Sequence, residues 1–558
     1  MKVFDYIVDY LMQQKVTDAF GVPGGVVLEL IYAMDARKDE LTPHLSYHEQ
    51  AAGFAACGYA QASGHLGVAY ATRGPGFTNL ISAMADAYCD SLPVLFITGH
   101  STASLDNEMR VMDDQEMDTV AMVRNITKYA ARIDDVCQIQ KALTEACFYA
   151  HEGRKGPVFL DIATSVMKKD FEPVQNENHT IESNNVVNIG NEIVDSIRNA
   201  KRPVVLVGDG VNQSQAQDLF KHFIEEAKIP VLSSRFSHDI LCSSDYYFGY
   251  IGSHGIRTAN FVLSKADLVI SMGNRMHYPV KSESFSAVTS NAKVIRVEID
   301  KSEFNRQVPN TINCNMDLRD ILFWLNENEK QYGNHNDWLN VCNTLRSELK
   351  NEDVNSCVES IVSIMERVDP KTWIVNDVGN NEFYVSRASV LAKISNRVLY
   401  SKSFGALGCG LGKAIGTYYA TYQPVLCFVG DQGLQMNIQE LQFISQHKLP
   451  IAVVLLNNNA SGMIKDRESI AYKGHYVHTT LESGYANPDF KGVAAAYGID
   501  YKCAKELADT NLQIERPLFI EVSVDSNLTL SPNLPKGAPC QDLYPQLDRK
   551  KYEYLNSL

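Results

Sequence analysis

Short apolar runs that close on Gly, Asp or Asn, each followed by a helix-length stretch, recur along almost the whole 558-residue chain. Runs this short and this continuous read as strands buried on both faces, the pattern of parallel sheets flanked by helices. Leu66-Gly-Val-Ala-Tyr-Ala-Thr, Pro93-Val-Leu-Phe-Ile-Thr and Gly156-Pro-Val-Phe-Leu-Asp-Ile supply such runs early in the chain. Arg202-Pro-Val-Val-Leu-Val-Gly-Asp-Gly, Ala266-Asp-Leu-Val-Ile-Ser-Met-Gly and Lys293-Val-Ile-Arg-Val-Glu-Ile-Asp follow in the middle, and Val425-Leu-Cys-Phe-Val-Gly-Asp-Gln-Gly and Ile451-Ala-Val-Val-Leu-Leu-Asn-Asn-Asn near the end. The fold class is therefore α/β, built on parallel sheets. So long a chain exceeds one core, and roughly 150–190 residues per domain predicts three domains.

Polar stretches at Asn176–Asn185 and Asn326–Asn340 place the boundaries. The expected segments are 1–175, 187–345 and 355–538, with 539–558 as a tail lying on the surface. A net charge of −15, from 51 basic and 66 acidic side chains, argues against a nucleic-acid surface. No apolar stretch reaches the roughly 18 residues of a membrane span, and no signal peptide is visible after Met1. The 12 cysteines are scattered without a Cys-x-x-Cys pair, which fits buried thiols in a reducing cytoplasm.

The densest chemistry lies at two strand ends of the third segment. Gly430, Asp431, Gln432 and Gly433 close one apolar run, and Asn457, Asn458 and Asn459 close the next. Ligands of open α/β sheets bind at strand C-termini, and a Gly-flanked helix start offers N–H groups to a diphosphate. A carboxylate at 431 and an amide at 458 suit Mg²⁺, which takes a few hard oxygens from protein and the rest from phosphate. Taken alone, a strand-end Asp and a polar turn are equally common without a metal.

In the first segment Glu49 opens a small-residue helix in Tyr47-His-Glu-Gln-Ala-Ala-Gly. A Glu in a first turn is usually a dipole-favoured surface charge. A zinc-protease helix is excluded, because its second His would fall at Ala52.

Taken together, these stretches resemble the thiamine-diphosphate (ThDP) enzymes, and most closely the acetolactate (acetohydroxyacid) synthases. Asp431 and Asn458 stand 27 positions apart, which fits the family's Gly-Asp-Gly…Asn-Asn motif. Phe20-Gly-Val-Pro-Gly-Gly, His48-Glu-Gln-Ala-Ala-Gly, Thr72-Arg-Gly-Pro-Gly-Phe-Thr-Asn, Met84-Ala-Asp-Ala-Tyr and Ile97-Thr-Gly-His match in order. So do Gly252-Ser-His-Gly, Gly405-Ala-Leu-Gly-Cys-Gly-Leu, Met436-Asn-Ile-Gln-Glu-Leu and Asn487-Pro-Asp-Phe, so the resemblance covers nearly the whole chain.

The resemblance implies pyrimidine-binding, central and diphosphate-binding domains. It makes Asp431, Asn458 and the Ala460 carbonyl the Mg²⁺ ligands and Glu49 the acid that activates the pyrimidine. Leu407 becomes the prop of the bent cofactor and Gly405 the acceptor for its amino group. Gly379, Asn380 and Asn381 match the diphosphate turn, and Val22, Pro23, Gly24, Gly462 and Met463 complete the cofactor set. Gln115 and Lys128 match polar active-site positions, while His100 and Arg467 are candidates for substrate handling. In the family, Glu49 and the metal site come from different subunits, which makes a homodimer the minimal enzyme and fits a homotetramer.

Departures gather on the acceptor side. Arg467 stands where the synthases carry a Trp, and Asp114 where they carry a Phe. Two charges in place of aromatics predict polar partners: a substrate, each other or water. Two features argue against FAD: Asp209 in the Gly208-Asp-Gly turn, and Pro279 in place of an Arg in Arg275-Met-His-Tyr-Pro. One Gln replaces the second Gly of the motif at 432, where a positive φ would be strained. Gln435 to Gln442 and Asp542-Leu-Tyr-Pro-Gln-Leu-Asp-Arg are similar to ThDP proteins of surface-polysaccharide synthesis. The implied reaction is decarboxylation of a 2-oxo acid, pyruvate first, with transfer of the remaining unit to a carbonyl acceptor such as a keto-sugar. Simple decarboxylation to an aldehyde and a non-catalytic ThDP-binding protein are the alternatives.

Overall fold

Three parallel six-stranded sheets carry the fold. The structure, a computed structural model, describes the chain apart from residues 102–112, 174–185, 278–288, 290, 328–329, 353 and 508–510. The first polar linker and Pro279 therefore lie outside the described residues.

The first sheet holds β1 (Asp18–Gly21), β2 (Thr42–Leu45), β3 (Gly67–Ala71), β4 (Val94–His100), β5 (Tyr129–Ile133) and β6 (Val158–Ala163), in the order β2-β1-β3-β4-β6-β5. In the second, β7 (Pro203–Val207), β8 (Val231–Ser233), β9 (Tyr247–Tyr250), β10 (Leu268–Met272), β11 (Lys293–Glu298) and β12 (Thr311–Asn315) run in the order β12-β11-β10-β7-β8-β9. The third orders β13 (Trp373–Asn376), β14 (Val398–Tyr400), β15 (Val425–Gly430), β16 (Ile451–Asn457), β17 (Asp500–Cys503) and β18 (Leu518–Ser523) as β14-β13-β15-β16-β18-β17. The three sheets make the expected α/β class a finding.

By compactness the chain forms two units. One contains residues 1–179, 371–382 and 398–526, and so the first and third sheets; the other contains 180–370, 383–397 and 527–558. In the first unit the helix Glu49–Ser63 packs on the helix Gly410–Thr421 at backbone contact distance. A methyl group at Gly416 would overlap the Ala55 carbonyl oxygen, one at Gly58 would overlap Lys413 O, and one at Gly412 would lie 2.7 Å from Ala51 O. Small residues let the two helices, each following a site loop, approach this closely.

In the second unit the surface-tail expectation for 539–558 needs correction. Leu543 and Leu555 are fully buried, and a helix forms over Arg549–Ser557. The buried Arg257 guanidinium donates to the Leu543 and Pro545 carbonyls at 3.0 and 2.6 Å, and Asn260 donates to Cys540 O at 2.8 Å. The segment has no repeating hydrophobic period because irregular backbone, tied by side chains of the sheet's helix, carries most of it. None of the 12 cysteines is in a disulfide. Among the described residues no helix is long and apolar enough to cross a membrane.

Candidate active site

The third sheet reverses its winding between β13 and β15, so their C-terminal ends open a crevice where such sheets bind ligands. Gly379 and Asn380 follow β13, and Gly430 and Asp431 close β15. Gly379 has φ +119°, and a methyl there or at Gly430 would find only the Asn381 side-chain oxygen, at 2.9 and 3.7 Å. Space is thus open beside the N-terminus of the helix Asn380–Leu391, which favours a diphosphate, while the Gly379 N–H itself donates to Glu382 Oε1 at 3.3 Å. Asn380 donates to Asp466 at 3.0 Å, while its carbonyl oxygen is buried without a hydrogen-bond partner. Asn381 turns its amide back to Asp377 O at 2.6 Å.

Asp431 is 3% exposed, and burial raises its carboxyl above the usual range. Hydrogen bonds from Asn487 at 2.8 Å and from the Gln432 N–H at 3.0 Å pull it partly back. Gln432 lies in the helix Asp431–Met436, so the strain foreseen for a positive φ does not arise. The Ala460 N–H donates to Asn458 Oδ1 at 3.2 Å and also acts on Asp431, which ties the three expected metal ligands together. Asn487 Nδ2 reaches the oxygens of Asp431, Asn457 and Asn459 at 2.8, 3.1 and 3.2 Å. Asn487 thus gathers three oxygens at this end of the sheet. Among the described residues no three His, Cys, Asp or Glu side chains gather for a softer metal. Gly462 packs on Asn458, where a methyl would come within 2.6 Å of Nδ2.

Leu407 reaches over this turn: its Cδ1 lies 3.3 Å from where a side chain on Gly433 would begin. Gly405, with φ +70°, is exposed and open. Sequence reasoning missed the group behind them. Buried Asp377 accepts from the N–H groups of Val378, Gly408 and Gly410 at 2.6, 2.9 and 3.2 Å, and burial lifts its carboxyl to about 6 despite them. Its only signal was its place one residue past a short strand.

At the first sheet the winding reverses between β1 and β3. Val22, Pro23 and Gly24 follow β1, and Gly24 packs on the Thr72 side chain just after β3. Glu49 heads its helix, capped by the His48 ring, and its Oε2 accepts from Asn79 at 2.9 Å. Its Oε1 faces Gly76, where an added methyl would sit 3.3 Å away. Asn79 closes the Thr72–Asn79 motif but had no assigned role. Gln115, with φ +60°, lies exposed against Gly74.

His100 is 1% exposed, with its ring between Asp134 at 2.9 Å and Asp161 at 3.3 Å, so carboxylates occupy both ring nitrogens' surroundings. Lys128 precedes β5, at the opposite end of the sheet from His100, and its ammonium contacts the Glu152 carbonyl at 2.5 Å. The structure does not bring Lys128 to the other site residues. Arg467 and Asp114 are exposed, and no ion pair joins them among the described residues. Met463 is exposed at the start of the same helix as Arg467. In the second unit Gly208 and Gly210 pack on the Gly273 backbone, and Asp209 bonds Asn212 and Gln213 at 3.1 and 3.0 Å. Those glycines serve close packing.

Two sheets with switch points where such sheets take ligands, one beside the gathered oxygens of Asp431, Asn457 and Asn459 and one beside a held Glu49, suit an enzyme with a diphosphate cofactor. Comparison with known families and proteins agrees. The chain matches the models of the thiamine pyrophosphate enzyme N-terminal TPP binding domain over residues 1–122, central domain over 191–325 and C-terminal TPP binding domain over 377–522. It is 32% identical to the acetolactate synthase large subunit of Lactococcus lactis subsp. lactis, over 95% of this chain and 94% of that protein. To the isozyme 2 large subunit of Escherichia coli it is 31% identical, over 97% and 99% of the two chains. The chain belongs to the thiamine pyrophosphate enzyme family, in its acetolactate-synthase-like branch, and is a ThDP-dependent enzyme.

Proposed function

We propose that the enzyme decarboxylates a 2-oxo acid, pyruvate first, and transfers the remaining two-carbon unit to a polar carbonyl acceptor such as a keto-sugar. The observation that carries this reading is the pair of prepared ends: Glu49 held by Asn79 on one sheet, and Asp431, Asn458 and Ala460 drawn together on the other. Asp431, Asn458 and the Ala460 carbonyl would hold Mg²⁺ against the diphosphate, whose oxygens suit the N-terminus of the helix Asn380–Leu391 beside them. The unpartnered Asn380 oxygen and the oxygens around Asn487 fit that pair. When bound, thiamine diphosphate supplies the electron sink that decarboxylation requires.

Glu49 Oε1 would face the cofactor's pyrimidine nitrogen, while Asn79 fixes the other oxygen. With the cofactor bound, Leu407 would support its bend and the Gly405 carbonyl would accept from its amino group. His100, fixed between two carboxylates, acts by positioning the strand end, and Gln115 orients substrate from its exposed turn. Exposed Arg467 and Asp114 favour a hydrophilic acceptor over a second apolar 2-oxo acid, which supports a place in surface-polysaccharide synthesis. No step is assigned to a flavin. Two copies of the chain, with a tetramer built on the dimer, complete the site in the cytoplasm.

Glu49→Gln should still bind ThDP and lose on the order of 10²- to 10⁴-fold in CO₂ release from pyruvate. Undiminished release would overturn the role of Glu49. Mass spectrometry with and without a keto-sugar nucleotide decides the acceptor: a ligated product supports the transfer, and free aldehyde alone refutes it.

A further inference from the structure

Lys413 is buried without exposure in a helix whose other buried residues are uncharged, where no surface role can explain a charged side chain. Its ammonium lies 2.9 Å from Asp86 Oδ2, 3.9 Å from Asp90 Oδ2 and 3.0 Å from Tyr400 O. Both carboxylates are buried as well, and both reach onward into the loop that carries Gly405 and Leu407. Asp86 Oδ1 accepts from Ser401 Oγ at 2.5 Å, and Ser401 Oγ in turn accepts from the Ala406 N–H at 2.9 Å. Asp90 accepts from the N–H groups of Lys402 and Ser403 at 2.7 and 2.8 Å. From the other side Asp377 holds Gly408 and Gly410. Residues 401, 402, 403, 406, 408 and 410 are therefore pinned, while Phe404, Gly405 and Leu407 are left facing outward.

We propose that Lys413, through Asp86, Asp90 and Ser401, is a positioning residue that sets the Gly405–Leu407 loop for the aminopyrimidine end of the cofactor. This rests on the ThDP reading above. The physical logic is charge balance. Two carboxylates in a dry interior would repel each other; one ammonium between them offsets that repulsion and strengthens the pair as acceptors for the loop's N–H and O–H donors. Burial alone pulls the Lys413 ammonium down, yet Asp86 foremost among its neighbours more than restores it, so the cation persists. Asp86 and Asp90 come from the helix Pro75–Asp90, which follows the first sheet's ligand-facing turn, whereas the loop belongs to the third sheet. The triad thus ties the helix that follows the first sheet's turn to the third sheet's loop within the unit.

The test separates the two ends of the cofactor. Lys413→Met keeps length and removes charge; its Kd for ThDP with Mg²⁺ and its Kd for inorganic pyrophosphate with Mg²⁺ are measured by calorimetry. The expected result is ThDP binding weakened on the order of tenfold, as for other orienting partners, with pyrophosphate binding held within about twofold. Lys413→Arg should recover part of the loss. Equal weakening for both ligands, or unchanged ThDP binding, overturns the proposal. Should Lys413→Met not fold, Ser401→Ala, which breaks only the bridge from Asp86 to Ala406, decides by the same two constants. Wild-type protein that binds pyrophosphate but not ThDP would refute the ThDP reading and this proposal with it.

Discussion

Asp377 shows how much one buried carboxylate can organise. It is 1% exposed, and it closes three backbone N–H bonds that fix both the turn after β13 and the loop bearing Leu407. Burial first raises its carboxyl from 3.8 to about 6, with the N–H donors pulling the other way. The folded chain therefore binds this proton more tightly than the unfolded chain does. Its contribution to stability is greatest below about pH 4 and is lost as pH rises through about 6, at up to about 1.4 kcal/mol per pH unit in that window. Asp377→Asn removes the titration. The variant's stability deficit relative to wild type should thus be larger at pH 5 than at pH 7, as read by urea denaturation at each pH. A deficit constant across that range would mean the carboxyl titrates at its ordinary value. The same residue marks a limit of sequence reading. Asp431 was legible through its spacing to Asn458, whereas Asp377 acts on Gly408 and Gly410, a partnership between chain segments that no local pattern encodes.

Among the elements, strands differ in how plainly they declare themselves. β3, β4, β6, β7, β10, β11, β15 and β16 were all visible as apolar runs, because interior strands of a parallel sheet are covered on both faces. β2, β5, β12 and β17 sit at sheet edges, are partly exposed and carry mixed sequences such as Thr-Pro-His-Leu and Asp-Tyr-Lys-Cys, so continuous hydrophobicity could not reveal them. The helix pair Glu49–Ser63 and Gly410–Thr421 was visible only as small-residue composition; its packing explains why small residues stand there. Gly416→Ala should cost about 1–3 kcal/mol through overpacking, since the added methyl meets the Ala55 carbonyl on a rigid helix. Gly25→Ala, where no atom lies within 4 Å of the added methyl, should be neutral or slightly stabilising. Denaturation midpoints of the two variants check the contrast, and equal effects would mean the helix contact tolerates a wider spacing.

For the molecule as a whole, three sheets were expected and three are present, but the chain assembles them by returning on itself. Residues 383–397 and 527–558 join the unit of the second sheet although they lie beyond it in sequence. Such long-range returns leave no periodic trace, which is why the last twenty residues read as a surface tail. Their energetics say otherwise. Cys540, Leu543, Leu547 and Leu555 enter the same core cluster region as Phe261 and Trp338 or lie buried beside it. Each large apolar side chain fully buried contributes about 1.5–3 kcal/mol. Arg257, 1% exposed, spends two donors on the segment's carbonyls, and removing those acceptors would leave a buried guanidinium to be rehydrated. Deleting residues 539–558 should therefore lower the hydrogen-exchange protection of β7, β10 and β11, three of the interior strands of that sheet, rather than merely fray its edge. Mass-spectrometric exchange of the full chain against the deletion measures this directly: unchanged protection in those three strands would show that the segment only lies against the unit, and a loss there would show that the second sheet is stable only once its C-terminal segment has closed over it.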